Sequence, residues 1–408
     1  MHLIAPHNVA FLRCDKVLYG ASRNLTIILG STNMLSFVPS HNLEKALKEL
    51  QSKLIPLANL LATMEDEEKA YLHKCAMIST IGASTRIENA VLTDAEIDWV
   101  DTTLTADGKT TAFEEHKGFI IDKLSKDRER SIEEVVGCRE MLSLIYLQGD
   151  HMFPLTETSV RGLHNALLAY YPAASNYAGG YKTAANRVIS VNHATGEQKT
   201  VLEPAPAGMV TEIAMRDLLE WYNHSIREHH WSILIATEFV FRFLAIHPFQ
   251  DGNGRLGRAL FLLALMQGDD TVLRQVVRYV SIDRQIERHK AIYYSTLRQA
   301  SDGQYRADAS DYLIEPLAWF FVKMLNLAIE DVGLLRKRYA ALQRLSESAV
   351  LVLACFKSSP EKRLQLADLM AETGLVRRTT QNALVSLTKA GFLHRLGTGP
   401  ASRYQLIF

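Results

Sequence analysis

Leucines at positions 43, 47, 50, 54, 57 and 61 recur every three or four residues, the spacing of one helical face, so the chain is predicted to be helical from about Leu43. A second helix follows Glu65, with Tyr71, Leu72, Cys75, Ala76 and Ile78 on its apolar side. Helical spacing returns between Lys117 and Leu168, with a break at Gly149-Asp150. The last helix of that run is opened by Thr156-Glu157-Thr158 and carries Val160, Leu163, His164, Leu167 and Leu168. Among such neighbours His164 reads as a packing residue. Residues 231–246 and 259–266 are apolar around most of a helical circumference, as expected of helices buried at the centre of a domain. The period changes before them. Arg187-Val188-Ile189-Ser190-Val191 and Gln198-Lys199-Thr200-Val201-Leu202 read as two strands joined by the turn-rich Asn192-His193-Ala194-Thr195-Gly196. A lone hairpin among helices is barely stable and leaves an open edge. One reason to keep it is to offer that edge to another chain. A helix resumes over residues 210–222.

Composition narrows the class. The 408 residues are 48% hydrophobic and 22% charged, which suits a soluble globular protein of two or three domains and excludes disordered and fibrous classes. Cys14, Cys75, Cys138 and Cys355 are far apart with no Cys-x-x-Cys pair, so neither zinc nor a disulfide framework is expected and a reducing cytoplasm suits them. The first residues lack a basic stretch followed by an apolar run, and no 18-residue uncharged apolar segment occurs. No secretory signal or membrane span is indicated, and a cytoplasmic location is expected, with export by other signals left open. Residues 1 to about 40 mix β-prone runs such as Leu25-Thr26-Ile27-Ile28-Leu29 with turn residues, and read as an ordered extension without evident chemistry. The zero net charge hides a division: from Arg336 to Phe408 there are twelve Lys/Arg against four Asp/Glu, a net of +8.

Between the two most apolar segments lies His247-Pro248-Phe249-Gln250-Asp251-Gly252-Asn253-Gly254-Arg255-Leu256-Gly257-Arg258. Gly252 and Gly254 permit positive φ, so the backbone can coil with several N–H groups aimed at one spot. A helix predicted to start near Arg255 adds the free N–H groups and positive dipole end of its first turn. This is a place for phosphate. Arg255 and Arg258, three apart, can close over a polyphosphate from one face. Asp251 supplies an oxygen ligand suited to Mg²⁺ bridging phosphates, Asn253 an amide for a phosphate oxygen, and His247 a near-neutral imidazole suited to a general base. Neither a Walker A loop nor a dinucleotide fingerprint fits, because no Lys-Ser/Thr follows the last glycine and the loop follows a helix.

These twelve residues match, without a mismatch, the Fic motif His-x-Phe-x-Asp/Glu-Gly-Asn-Gly-Arg-x-x-Arg, and the chain resembles that family over about residues 80–330. The resemblance implies a protein adenylyltransferase that moves AMP from ATP, with Mg²⁺ on Asp251, to a Ser, Thr or Tyr hydroxyl of a target protein. His247 would be the base, and Gly252, Asn253, Gly254, Arg255 and Arg258 would hold the nucleotide. The hairpin precedes the motif as the family's flap does, which implies that Arg187, Val188 and Ile189 dock a target segment by strand addition. Residues 291–297 resemble the segment whose second tyrosine, here Tyr294, flanks the adenine. Either Tyr293 or Tyr294 could equally be core, and Ser301 stands where many members carry asparagine.

Ser84-Thr85-Arg86-Ile87-Glu88-Asn89 supports two readings. Thr85-x-x-Glu88 is a capping box that would start a helix toward Val91. Beside the motif, the segment resembles the family's inhibitory helix, with Ser84 and Glu88 in its pattern and Glu88 reaching Arg258. A carboxylate there would occupy the fork meant for the γ-phosphate and repel ATP's own charge. That implies the self-inhibited class II arrangement. Resemblance also permits the reverse reaction, removal of AMP with Glu88 orienting water, and self-association into a homodimer.

The basic end reads as helix (residues 346–356), helix (364–372), turn, and helix (376–390), then strands around Gly397-Thr398-Gly399-Pro400. That order resembles a winged helix-turn-helix. Arg377, Arg378, Thr379, Thr380 and Gln381 open its third helix, and Arg395 and Arg403 flank the wing, residues suited to DNA. Such units also dock proteins. The expected fold is mainly α: a Fic helical bundle with an inserted β-hairpin flap, plus a small α+β winged-helix domain. Divisions fall at 1–80, 81–332 and 337–408. The alternative function is a nucleotide-sensing transcription regulator with an inactive Fic domain; an unbroken motif argues against it, since a sensor has no need of a base at His247.

Overall fold

The leucine ladder forms α1 (His41–Thr63), whose first turn is capped by Ser40 Oγ accepting from the Leu43 N–H at 3.2 Å. All six predicted leucines are buried on it. The computed structural model describes residues 34–105, 112–191, 198–399 and 401–408, so the β-prone run at 25–29 lies outside the described residues. The second predicted helix is α2 (Asp66–Ile87). From Ser79 to Thr85 every residue of α2 is buried, because neighbours pack around the helix on all sides.

The capping-box expectation at Thr85 fails. Helix α2 ends there instead of starting: Thr85 Oγ1 donates back to the Ile81 carbonyl at 2.8 Å, and Glu88 is the C-terminal cap. With the preceding turn already helical, the N–H groups that a capping box would satisfy are bonded. The capping box in this region is Thr93 with Glu96, opening α3 (Asp94–Leu104). Then follow α4 (Phe113–Leu124), α5 (Glu129–Gln148) and α6 (Glu157–Leu168), the last capped by Thr156 Oγ1 accepting from Ser159 N–H.

Strands β1 (Val188–Val191) and β2 (Gln198–Leu202) pair antiparallel, Val191 opposite Gln198, with an irregularity after Val188. Their predicted turn, 192–197, lies outside the described residues. The chain leaving β2 is tied down at Glu203, whose N–H donates to the Gly303 carbonyl at 2.8 Å and whose carbonyl accepts from Tyr305 N–H at 2.9 Å. The chain continues through α7 (Met209–Glu228) into α8 (Ser232–Ile246) and α9 (Asn253–Gln267). Fourteen of the fifteen residues of α8 are buried, Arg242 alone being left out, and the neighbouring helices close around both.

Around them lie α10 (Thr271–Val276), α11 (Ile282–Arg288), α12 (Lys290–Ser301) and α13 (Glu315–Leu342). Helix α13 runs unbroken through 333–336, where a division was expected; Gly333 weakens a helix interior by only about 1 kcal/mol. The stretch from Leu317 to Val332 packs its buried side chains in the main core, and its end packs Ala341 and Leu342 on a second cluster.

That cluster joins α14 (Glu347–Ser358), β3 (Leu364–Gln365), α15 (Leu366–Thr373), α16 (Arg377–Lys389), β4 (Leu393–Leu396) and β5 (Arg403–Leu406), with sheet order β3-β5-β4. Leu364 and Gln365, expected in a helix, pair with Tyr404 and Arg403 as a strand. The helix is delayed because Gln365 and Asp368 cap each other at its start. Among the described residues no helix is long and apolar enough to cross a membrane. Overall the fold is mainly helical, with the hairpin inserted and the small three-stranded sheet at the basic end, as expected.

Because the second cluster holds Leu384 at 1% exposure among its own neighbours, Leu384→Ala should cost about 2–5 kcal/mol locally. Calorimetry should then resolve an earlier transition for the basic unit while the main transition stays put. A single transition shifting as a whole would mean that the two clusters melt together.

Candidate active site

The loop between α8 and α9 begins with strain. His247 caps α8 in the left-handed region, φ 51° and ψ 58°, while its N–H still bonds the Phe243 carbonyl at 2.9 Å. A residue with a Cβ gives up roughly 1–2 kcal/mol to sit there, so surrounding contacts must hold it. Phe249, with no exposed surface, fills the inside of the loop and stacks on His164 at 3.8 Å between ring centroids. His164 Nδ1 accepts from Gly179 N–H at 2.9 Å, which leaves Nε2 protonated to donate to the Asp251 carbonyl at 2.9 Å. It therefore packs, as expected, and also fastens the loop to α6.

Helix α9 starts at Asn253, two residues earlier than predicted, with Gly252 as its cap at φ 79°. The Asn253 amide accepts from Phe249 N–H at 3.0 Å and donates to the Phe249 carbonyl at 2.7 Å. Here the amide braces the loop from within, which engages its oxygen and one of its two N–H groups, while Asn253 also lines the cavity. The cause is burial, at 1% exposure, which obliges a polar side chain to find partners inside.

A cavity of about 370 Å³ opens over this turn, lined by His247, residues 250–255, Arg258 and Glu88, with Arg187 and Leu202 from the hairpin also on its wall. His247 Nδ1 lies 3.3 Å from the Leu244 carbonyl, so Nδ1 carries the proton and Nε2 offers a lone pair. Burial pushes this imidazole down to about 4, and the Lys182 ammonium adds to that, so it is neutral at pH 7. Arg255 is 3% exposed, and its Nε and Nη1 have no hydrogen-bond partner. Its nearest carboxylates are Asp251 at 3.5 Å and Glu134 at 3.9 Å. A buried guanidinium with idle donors at a helix N-terminus is suited to an anion.

Arg258 is equally buried but has its partners. Nε donates to Ser84 Oγ at 3.0 Å, and Nη2 to the Ser84 carbonyl at 2.8 Å and to Glu88 Oε1 at 3.0 Å. Burial works against its charge, but Glu88 and Asp283 outweigh burial and hold its pKa above the ordinary value. Asp283, 3.7 Å from Nε, has its own pKa pushed up by burial and drawn back by Arg258. The Glu88 carboxylate lies directly on Gly254, in the space that a Cβ would fill. Only glycine at 254 lets an anion approach this closely. The end of α2 is itself tethered: Arg86 holds Glu287 at 2.7 Å and Asp94 at 2.8 Å, and Lys290 Nζ donates to the Ile87 carbonyl.

Asp251 accepts from Gly252 N–H at 2.6 Å. Among the described residues no three His, Cys, Asp or Glu side chains gather as a metal site. A single carboxylate fits Mg²⁺, which binds through one or two carboxylates plus phosphate oxygens. Tyr293 is buried at 1% exposure, and Tyr294 is partly covered; both line the cavity. The Ser301 hydroxyl is spent on the Leu297 carbonyl and Gly303 N–H. The side chains of Val188 and Ile189 lie outside the described residues; Arg187 is exposed and 3.9 Å from Glu203. Asp283 and the bracing role of His164 were not foreseen. The only local signal was a polar residue on an apolar helical face.

On the basic unit, Arg377, Arg378, Gln381 and Arg403 are exposed and Thr379 is half-buried. Thr380 is not on the surface. It has no exposed area, and its hydroxyl donates to the Val376 carbonyl at 3.2 Å, because its place on the helix, four before Leu384, turns it inward.

The Fic/DOC family model matches residues 154–265. The fold is similar to a Fic family protein from Desulfovibrio desulfuricans, with TM-score 0.52, 20% identity, and 91% of this chain and 98% of that one covered. A Fic domain-containing signaling protein from Bacteroides thetaiotaomicron gives 0.49 at 22% identity, covering 71% of this chain and 97% of that one. Fic-1 from C. elegans gives 0.49 at 15%, covering 72% of each. Residues 154–265 thus match the Fic/DOC family, and the whole loop of residues 247–258 lies within the matched segment.

The buried neutral His164 has a pH consequence. Burial pushes its pKa down to about 4, below the ~6.5 of an unfolded histidine. Between those values the unfolded chain binds the extra proton, so stability is full above about pH 6.5 and falls toward pH 4, by roughly 3 kcal/mol at most. Urea unfolding at pH 7 and pH 4.5 should show His164→Phe losing less stability on acidification than the native chain.

Proposed function

We propose that this chain is a protein adenylyltransferase held in check by Glu88. The observation that carries the reading is the pairing of idle and occupied arginines on one helical turn beneath an imidazole: Arg255 has unused donors, while Arg258 is engaged by Glu88. In the active arrangement the triphosphate of ATP lies on the backbone N–H groups of residues 252–255, and its distal phosphate takes the Arg258 fork from Glu88. Mg²⁺, held by Asp251 together with phosphate oxygens, would neutralise charge on the departing group. A target hydroxyl, presented by a segment added as a strand beside β1, faces His247. Nε2 takes the hydroxyl proton, the oxygen bonds to the α-phosphorus, and the bond to the bridging oxygen breaks, releasing pyrophosphate.

Neutrality of His247 is what lets it accept a proton. The negative charge of bound ATP beside it would raise its proton affinity toward the working pH. With Glu88 in place, its carboxylate occupies the seat of the distal phosphate and repels it. Removing a general base typically costs about 10²–10⁴ in rate. His247→Ala should therefore nearly abolish transfer from α-labelled ATP while nucleotide binding persists, and Glu88→Gly should raise labelling. Equal labelling with and without Glu88 would remove it as the brake.

For the basic unit we infer a DNA partner. The helix α16 turns Arg377, Arg378, Gln381, Asn382, Ser386 and Lys389 outward along one face, a strip of donors suited to phosphates and base edges. Duplex affinity should fall steeply with salt, and the Arg377/Arg378 double alanine should reduce the log–log slope by about 1–2. A gel shift indifferent to salt would end this inference.

A further inference from the structure

The left-handed turn at His247 needs an outside hold, and two residues supply it. The carbonyls of four consecutive residues, 246 to 249, all accept from Lys182 and Asn186. Lys182 Nζ donates to the Ile246 carbonyl at 3.0 Å and its backbone N–H to the Pro248 carbonyl at 2.8 Å. Asn186 Nδ2 donates to the Phe249 carbonyl at 2.9 Å and reaches the His247 carbonyl at 3.5 Å. The two side chains are themselves joined, Lys182 Nζ to Asn186 Oδ1 at 3.0 Å.

Lys182 is 3% exposed, and among the described residues no carboxylate pairs with it. Its ammonium is met by the Ile246 carbonyl at the C-terminal end of α8, where the helix dipole is negative, and by the Asn186 side-chain oxygen. A buried charge is costly unless hydrogen bonds answer it, and here both of its partners belong to the clamp itself. Asn186 stands two residues before β1 begins. Chain that receives a target on β1 is therefore continuous with chain that grips the catalytic loop.

We propose that Lys182 and Asn186 are positioning residues for His247, a clamp that fixes the imidazole at its strained turn and links its placement to occupancy of the hairpin. The functional part rests on the adenylyl-transfer reading. The groups whose charge bears on His247 are Lys182, which disfavours its protonation, and Glu88 and Asp251, which favour it. Burial pushes the Lys182 ammonium down only to about 8, so it remains mostly charged at pH 7.

The test uses the full chain in a Glu88→Gly background, with Lys182→Met, Lys182→Arg and Asn186→Ala. Lys182→Met should lower kcat by about 10- to 100-fold, the range that a small misplacement costs. ATP affinity by calorimetry should stay within about twofold, and Lys182→Arg should recover part of the loss. Independently of turnover, NMR titration of the His247 ring should move to higher pH in Lys182→Met while His164 stays where it was. Unchanged kcat together with an unmoved His247 titration would overturn the clamp, as would an equal loss of ATP affinity. Should Lys182→Met fail to fold, Asn186→Ala decides: a fall in kcat at constant ATP affinity supports the clamp, and full activity refutes it. If Glu88→Gly itself transfers no AMP, the enzymatic reading falls, while the His247 titration still judges the clamp.

Discussion

A guanidinium shut away from water needs negative charge within reach, and α9 carries two of them one turn apart, Arg255 and Arg258, each 3% exposed. Leaving such a charge unanswered costs several kcal/mol. For Arg258 the answer is internal, from Ser84, Glu88 and Asp283. For Arg255 it is incomplete, since its closest carboxylates stand at 3.5 and 3.9 Å and two of its donors are idle. The turn thus carries one guanidinium answered by its own chain and, beside it, one with donors to spare.

Geometry decides which partner can yield. Ser84 lies inside α2 and Asp283 within the buried surface of α11, whereas Glu88 is the terminal cap of α2 with a side chain about one-third exposed. A helix end opens at lower free energy than a helix middle. Glu88 is therefore the partner of Arg258 that can leave most easily, while Ser84 keeps the guanidinium oriented. The same end is pinned by Arg86 on Glu287 and by Lys290 on the Ile87 carbonyl. Lys290 starts α12, which also carries Tyr293 and Tyr294, so the contact that pins the end of α2 and part of the cavity wall come from one element.

The apolar periodicities found most of the helices, because a face that must be buried repeats at the helical period wherever the helix lies. Local signals failed where two of them competed. Thr85-x-x-Glu88 has capping-box spacing, yet nothing within four residues reveals that a helix is already running into it. Leu364 has helical neighbours, but β5 supplies a strand partner from forty residues away. Residues 333–336 look like a boundary by charge and remain mid-helix, since charge composition says nothing about hydrogen bonding along a backbone.

Residue order alone determined the loop's chemistry: two glycines for close approach, two arginines on one face, one acid and one imidazole, set between segments too apolar to lie outside. Only tertiary structure decided who answers them. Ser84 meets Arg258 across 174 residues, His164 meets the Asp251 carbonyl across 87, and Lys182 meets the Ile246 carbonyl across 64. Periodicity reports which face of an element is buried, but not against what. The partner of a buried polar group is settled by packing of the whole chain, so these contacts became visible only once the helices were in place.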